Sequence, residues 1–291
     1  MTYYQFVQAV EEKMKGVVNE DTTLSIYVAD KNNGVKRRGI TIAQKGINIS
    51  PTIYLEEFYT KYRKGCTLDS IVTDILSLYY EVRLKKSWDE ENINSFEAIE
   101  GKIVYRLVNF EANKELLTGI PHIPYLDLAI IFYVMLEVNE YGTACMLIRN
   151  EHLDIWGIHT KEVFEKAKEN TWRILPSEFH TMRAMMKEYH KDGNYVGMDI
   201  LHVLTNKVRS FGASAILYEG CLEMIGSFLN DNFYVLPSSV HEVIIVSETD
   251  APWGGAGLSE MVEEINRTQV DEEDILSDTA YYYDREKKKL L

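Results

Sequence analysis

The order of helical and strand-like segments constrains the fold of this chain most. Two alternating β-branched runs, residues 24–28 and 39–43, flank a turn at 30–34 whose residues tolerate a positive φ. This pattern predicts a hairpin, and residues 139–142 predict a second one between two apolar runs. The chain has no regular alternation of strand, helix and strand. The order therefore favours an α+β fold, with mixed, largely antiparallel sheets and flanking helices, over a doubly wound α/β fold.

Periodicity and capping residues place the individual elements. Helices are predicted at residues 4–14, 51–64, 67–86, 160–172, 177–190, 220–229 and 258–266. Strands are predicted at residues 24–28, 39–43, 128–136, 143–149, 202–205, 213–218, 233–236, 243–246 and 280–283. The acidic stretch 88–94 is predicted to be a loop, and Lys287, Lys288 and Lys289 a frayed end.

The clearest internal punctuation is the segment 118–124, which contains Pro121 and Pro124, two of only six prolines. A boundary there divides the chain into an N-terminal helix and hairpin subdomain, residues 1–119, and a C-terminal α+β subdomain, residues 120–291. At 46% hydrophobic residues, 291 residues can bury a large core.

Charge and apolar run length exclude several classes of partner. The formal net charge of −14 opposes binding to duplex nucleic acid, because neutralising phosphates needs a strongly basic face. Lys36, Arg37 and Arg38 form a local basic patch that is typical of a solvated turn. The longest apolar run, residues 128–136, is much shorter than the roughly 20 residues that span a bilayer, so no membrane partner is expected.

The cysteines and the N-terminal segment indicate the compartment. Residues 1–18 contain Glu11 and Glu12 where an export signal needs an apolar core. Cys66, Cys145 and Cys221 lack paired spacing and lie among apolar residues, which is typical of reduced core thiols. These features predict a cytoplasmic protein.

The densest group of chemically capable residues is Ser238, Ser239, His241 and Glu242, directly before the apolar strand 243–246. A nucleophilic site would use a serine as the attacking group, His241 as base and Glu242 as its orienting partner. In a regular strand, however, His241 and Glu242 point to opposite faces, whereas Ser239 and His241 share one. The alternative is a structural turn in which Pro237 restricts the chain and the serine hydroxyls satisfy backbone groups.

The sequence gives less support to a metal site or a phosphate site. A metal would have to recruit His241 and Glu242 with His180, His190 or His202, and none of these has the spacing of a recognised zinc site. The glycine-rich segment 254–257 lacks the flanking residues of a phosphate-binding loop and is predicted to be a surface loop. Neither a cofactor nor a metal ion is predicted.

Several segments together resemble an uncharacterised bacterial family, common in gut Firmicutes and known only as a domain of unknown function. The resemblance covers almost the whole chain and is carried by residues 49–55, 203–207, 212–218, 233–243, 268–270 and 276–278. A looser likeness, in residues 153–159 and 167–171, is to the YtpQ-like family. Both families are uncharacterised, so the resemblance implies kinship and no activity, ligand or catalytic residue. It also implies one integrated unit in place of a fusion of unrelated domains.

The C-terminal charge distribution suggests a role in binding. Residues 241–278 contain eleven acidic residues and one basic residue, Arg267. Such a face is either solvated or a docking surface for a basic protein partner. The sequence therefore favours a non-catalytic binding or accessory module, and the alternative is a hydrolase or transferase that uses Ser238, Ser239, His241 and Glu242.

Overall fold

The structure, a computed structural model, describes residues 1–19, 21–47, 50–83, 94–139, 142–189 and 199–291. It contains two compact units. Unit 1 comprises residues 1–95 and 137–144, and unit 2 comprises residues 96–136 and 145–291. The prediction that 1–119 and 120–291 are subdomains of one integrated protein stays a prediction.

The described helices and strands confirm the predicted α+β class. The α-helices are α1 Tyr3–Lys15, α2 Glu56–Arg63, α3 Leu68–Val82, α4 Phe96–Ile99, α5 Lys114–Leu117, α6 Asn150–Trp156, α7 Thr160–Ile174, α8 Met182–Tyr189, α9 Cys221–Leu229 and α10 Gly254–Gln269. The strands are β1 Thr22–Asp30, β2 Lys36–Gln44, β3 Thr52–Tyr54, β4 Ile103–Asn109, β5 His122–Tyr125, β6 Leu128–Asn139, β7 Gly142–Leu147, β8 Ser177–Thr181, β9 Leu201–Asn206, β10 Phe233–Leu236, β11 Val243–Ser247, β12 Tyr281–Asp284 and β13 Lys289–Leu290. Short 3₁₀ helices occupy Asn32–Gly34, Glu100–Lys102, Gly212–Leu217 and Glu272–Asp274.

Unit 1 is built around the predicted hairpin. Strands β1 and β2 pair antiparallel, β3 adds to β2, and the turn places Asn33 at φ 59° and Gly34 at φ 71°. Asparagine and glycine tolerate this left-handed backbone, as the sequence predicts for the turn. Helices α1 and α3 begin at threonine caps, since Thr2 accepts from Gln5 N–H and Thr67 from Ser70 N–H. The predicted first helix and first hairpin are both confirmed.

Unit 2 contains two antiparallel sheets. The larger has the strand order β13-β12-β10-β11-β9-β8, and in the smaller β6 lies between β4 and β5 and also pairs with β7. Helix α7 packs on β4, where the Thr171 hydroxyl accepts from Tyr105 N–H at 3.1 Å. The Asn170 side chain donates to the Ile103 carbonyl at 3.1 Å. These two bonds fix the face that α7 presents outward.

Four local predictions were wrong, and in three of them tertiary strand pairing outweighed a local signal. Residues 177–181, predicted as a helix start, form β8 through pairing with β9. Residues 51–54, also predicted as a helix start, include β3, which pairs with β2 before α2 begins at Glu56. The predicted frayed end contains β13, and the predicted glycine loop 254–257 is the first turn of α10.

Two further differences concern residues 103–109 and 213–218. Strand β4 was not predicted, although its six buried residues, 103–108, form a continuous run that is typical of a strand covered on both faces. Residues 213–218 were predicted as a strand, but the small residues from Gly212 to Ala215 pack as a 3₁₀ helix against β9. Cys66 is exposed and is not a core thiol, while Cys145 is half-buried and Cys221 is buried.

Some predictions fall outside the described residues. The predicted loop at 88–94 lies almost wholly there, as does His190, at which the predicted helix 177–190 ends. Within the described residues, no helix is both long enough and apolar enough to cross a bilayer.

Candidate functional site

The four predicted site residues lie in a turn that joins two adjacent antiparallel strands, β10 and β11. We call residues 237–242 the 237–242 turn. It is held by a neighbouring segment, because Val240 N–H donates to the Asp274 carbonyl at 2.8 Å and Ser277 N–H donates to the Pro237 carbonyl at 2.9 Å. An isolated bridge also joins Ser239 to Ile275. The backbone of the turn is therefore paired on one side along most of its length.

Ser239 is the buried serine of the pair. Its hydroxyl oxygen accepts from His241 N–H at 3.0 Å. Burial raises the pKa of Glu242, and the charge on His241 and the nearby Ser239 hydroxyl oppose that rise. The Ser238 side chain, in contrast, makes no hydrogen bond to any residue in the described ranges. The two serines thus differ although they are neighbours.

His241 has a partner at each ring nitrogen. Phe211 N–H donates to Nδ1 at 3.2 Å, which places the ring proton of the neutral imidazole on Nε2, 3.1 Å from Oδ1 of Asp274. The hydrogen bond to Asp274 raises the pKa of His241, while burial and the charge of Arg106 oppose that rise. Because both nitrogens are engaged, neither is free to accept a proton from a serine.

The structure brings three of the four predicted residues together, in a way that the regular-strand argument did not allow. Glu242 reaches Ser239 because the segment is a turn, and alternation of side chains applies only to extended strands. Ser239 contacts His241 through the His241 backbone N–H and not through its ring. The geometry is that of a polar network that closes a turn.

A sequence comparison over nearly the whole chain identifies the family to which the protein belongs. The sequence profile of a family of unknown function, DUF5688, matches residues 3–285. The chain belongs to this family. The predicted resemblance to a domain of unknown function is confirmed, while the YtpQ-like likeness and the gut Firmicutes source stay predictions. The comparisons found no curated protein and no solved structure that matches the chain.

This DUF5688 protein contains site residues that the sequence analysis missed. Phe211 has φ 53° and Arg209 φ 51°, a backbone region that bulky residues seldom adopt. The strained loop delivers Phe211 N–H to His241, and the Phe211 ring centroid lies 5.4 Å from that of His241. Asp274 completes the network from the Glu272–Asp274 3₁₀ helix. Neither Phe211 nor Asp274 carries a sequence signal of this role.

Arg106 is the third residue that was missed. It lies in β4, only 6% exposed, and its guanidinium carbon is 4.2 Å and 3.8 Å from the ring centroids of Tyr133 and Phe211. Its Nη2 donates to the Cys145 sulfur at 2.9 Å. No carboxylate of the described residues pairs with it, so two aromatic faces stabilise its charge. A single arginine inside an apolar run is a feature of the sequence that could have identified Arg106.

Gly212 explains why the strained loop can approach the turn so closely. A β-carbon on Gly212 would lie 2.5 Å from the His241 carbonyl oxygen and 2.6 Å from Asn206 N, and it would also overlap the Thr205 hydroxyl. Two of these three atoms belong to backbone that cannot move aside. Thr205 in turn donates to the same His241 carbonyl at 2.8 Å. The DUF5688 turn is thus held by a contact that only glycine permits.

The described residues offer no alternative metal centre. They contain no group of three or more histidine, cysteine, aspartate or glutamate side chains placed to hold a metal ion. His202 stacks on Phe179 with ring centroids 5.1 Å apart, and His180 lies near Glu178. These two histidines therefore do not meet His241.

Proposed function

We propose that this member of DUF5688 is a non-catalytic binding or accessory module that binds a basic protein segment through the exposed face of α10. The observation that carries the proposal is a row of carboxylates without counter-ions. Glu260, Glu263 and Glu264 are exposed, and none forms an ion pair with a residue in the described part of the chain. We call this surface the α10 face.

Apolar side chains interrupt the carboxylates of the α10 face. Met261 is 36% exposed and Ile265 is 37% exposed, whereas Leu258 and Val262 are buried on the opposite side of the helix. A surface that mixes acidic and apolar groups complements a helix with basic and apolar groups. It also repels a polyanion such as duplex nucleic acid, which supports the expected absence of such a partner.

The polar network in the 237–242 turn supports the non-catalytic part of the proposal. A hydrolase or transferase needs a base that can take a proton from the attacking hydroxyl. His241 is engaged by Phe211 and Asp274, and the Ser239 hydroxyl oxygen accepts from His241 N–H. The arrangement therefore favours a structural turn.

The free cysteines support a reducing compartment such as the bacterial cytoplasm, which forms part of the proposal. Cys66, Cys145 and Cys221 form no disulfide with one another. Burial raises the pKa of Cys221 to about 11, which keeps that thiol protonated.

The proposal is tested with a fluorescent peptide that forms an amphipathic helix rich in lysine and arginine. Fluorescence anisotropy should show saturable binding that weakens as salt rises. The triple variant Glu260→Lys, Glu263→Lys, Glu264→Lys should lose about tenfold or more in affinity, since each surface charge pair contributes up to about 1 kcal/mol. A peptide of the same pattern with glutamate in place of the basic residues should not bind.

The matched control reverses three exposed carboxylates elsewhere, with Glu12→Lys, Glu57→Lys and Glu81→Lys. Both triple variants change the net charge equally, so equal loss of affinity would show a general charge effect and contradict a specific α10 face. Turnover of an ester or amide substrate that disappears in His241→Ala would favour the hydrolase alternative instead.

A further inference from the structure

A second surface of unit 2, remote in sequence from the α10 face, has an open cavity. Helix α7 places Glu165, Lys168, Glu169 and Trp172 on one face, at spacings of three and four residues. Together with Tyr105 they line a cavity of about 270 Å³. Leu217 and Glu219, which end and follow the Gly212–Leu217 3₁₀ helix, close the opposite wall. We call this cavity the Trp172 pocket.

The charges of the Trp172 pocket are not balanced. Glu165 pairs with Lys168, whose Nζ is 2.8 Å from its Oε2. Glu169 and Glu219 form no ion pair with a residue of the described ranges. The neighbouring Lys166 pairs with Glu100 at 2.8 Å. Two carboxylates at the mouth of the pocket therefore lack a counter-ion.

The floor and the wall of the pocket carry groups that also lack partners. Tyr105 is 2% exposed, and its hydroxyl makes no hydrogen bond within the described part of the chain. Burial raises the pKa of this hydroxyl, so it remains protonated. This hydroxyl is not among the fully enclosed polar atoms that lack a partner, so a donor that enters the pocket can reach it. Trp172 is 56% exposed, which leaves much of a large indole open to a ligand.

We infer that the Trp172 pocket binds a guanidinium group, such as that of an arginine side chain. A guanidinium is planar and stacks on an indole face, and its five N–H donors can serve two carboxylates at once. The carboxylates of Glu169 and Glu219 neutralise its charge, and the Tyr105 hydroxyl offers an oxygen to a further donor. The arrangement does not suit a metal ion, because an indole supplies no ligand atom.

The test uses protein labelled with fluorinated tryptophan and observed by fluorine NMR. The chain has four tryptophans, and Trp172→Phe identifies the signal of Trp172. Added N-acetyl-arginine methylamide should shift the Trp172 signal saturably and leave the other three in place. The matched citrulline compound has the same shape without the charge, and it should cause no saturable shift. A lysine analogue should bind more weakly than the arginine compound.

Variants separate the roles of the two carboxylates. Glu169→Gln and Glu219→Gln should each weaken binding about two- to fivefold, since each removes one exposed charge pair. Glu81→Gln, at an exposed carboxylate of unit 1 outside both surfaces, should leave it unchanged. An Ala-Arg-Ala peptide that binds at least as well as the capped amino acid indicates a peptide source for the guanidinium, and weaker binding of that peptide indicates a free small molecule.

The inference is overturned if no saturable shift of Trp172 occurs up to tens of millimolar, or if citrulline binds as well as arginine. It is equally overturned if both glutamine variants bind like the wild type. Each variant is first compared with the wild type in melting temperature. The α10 peptide of the proposed function is measured in parallel, so that failure at one surface is distinguishable from failure at the other.

Discussion

The 237–242 turn and the Trp172 pocket belong to the same unit, and they treat their polar groups in opposite ways. In the turn, Ser239 and His241 find their partners inside the protein. In the pocket, Glu169 and Glu219 have no ion pair within the described residues, and the Tyr105 hydroxyl has no hydrogen bond there. The first arrangement is complete without a ligand, and the second is not.

The contrast teaches that the concentration of reactive residue types is a poor guide to function in this chain. Serine, histidine and glutamate next to one another suggested catalysis, yet they satisfy one another and the backbone around them. The exposed glutamates of α7, in contrast, did not suggest a site in the sequence. Once a fold is known, groups that line a cavity and have no partner are the better sign of a site, because they remain available to a ligand. Four predictions test this contrast.

The largest effect is expected for His241→Ala. It leaves Phe211 N–H without an acceptor and the Asp274 carboxylate without a donor. Two unpaired groups should lower the free energy of unfolding by about 2–3 kcal/mol. Urea denaturation measures this, and arginine binding at the Trp172 pocket should stay as in the wild type. A variant as stable as the wild type, or more so, would mean that the turn is kept for function at a cost in stability.

A neighbouring pair of serines provides the next test. Ser239→Ala removes the acceptor of His241 N–H and should cost about 1–2 kcal/mol. Ser238→Ala is the matched control and should change stability by less than about 0.5 kcal/mol. Thermal unfolding of both variants checks the difference. Equal losses would show that Ser238 also has a buried role.

The pH dependence of stability tests the bond between His241 and Asp274. The raised folded-state pKa of His241 means that the bond stabilises fully below the unfolded value of about 6.5, and that this stabilisation is lost as pH rises through the folded pKa. Asp274→Asn should therefore lower the melting temperature more at pH 5.5 than at pH 8. In His241→Gln, which cannot titrate, the added Asp274→Asn change should have a similar effect at both pH values. A loss that is larger at pH 8 would contradict the assignment.

The smallest effect on stability is expected for Trp172→Ala. Because the indole is mostly exposed, its removal should change the free energy of unfolding by less than about 0.5 kcal/mol. The same variant should no longer bind the guanidinium compound. Calorimetry measures this binding in both proteins, because the variant lacks the Trp172 fluorine signal. Strong destabilisation would make the indole a packing residue and would weaken the contrast between the two regions.

The sequence was informative where a structure depends on neighbours along the chain. The first hairpin, α1 and the strands on either side of the 237–242 turn follow from alternation, capping and turn residues. It was uninformative where partners come from far away. Asp274 is 33 residues from His241 and Phe211 is 30 residues away, and strand pairing brings both to it. Residues 177–181 likewise became a strand only because β9 was beside them.

Only one side of the Trp172 pocket, the helix face, is recognisable in the sequence. Glu165, Glu169 and Trp172 recur at spacings of four and three, which predicts that they share one helix face. Nothing local indicated that Tyr105 and Glu219 would meet that face, since β4 was not predicted and residues 213–218 were predicted as a strand. An acidic helix face with one aromatic residue is otherwise typical of plain solvent exposure.

The lack of space at Gly212 has a consequence for how the family diverges. Any side chain there would push against the backbone of Asn206 and His241, whereas a serine in the turn can be exchanged at the cost of one hydrogen bond. Descendants can therefore lose the turn's serines one at a time, but they can change position 212 only together with the loop and the turn. Glycine at that position should persist in distant members of DUF5688 whose turns no longer resemble this one, and it is the residue by which such members can be aligned.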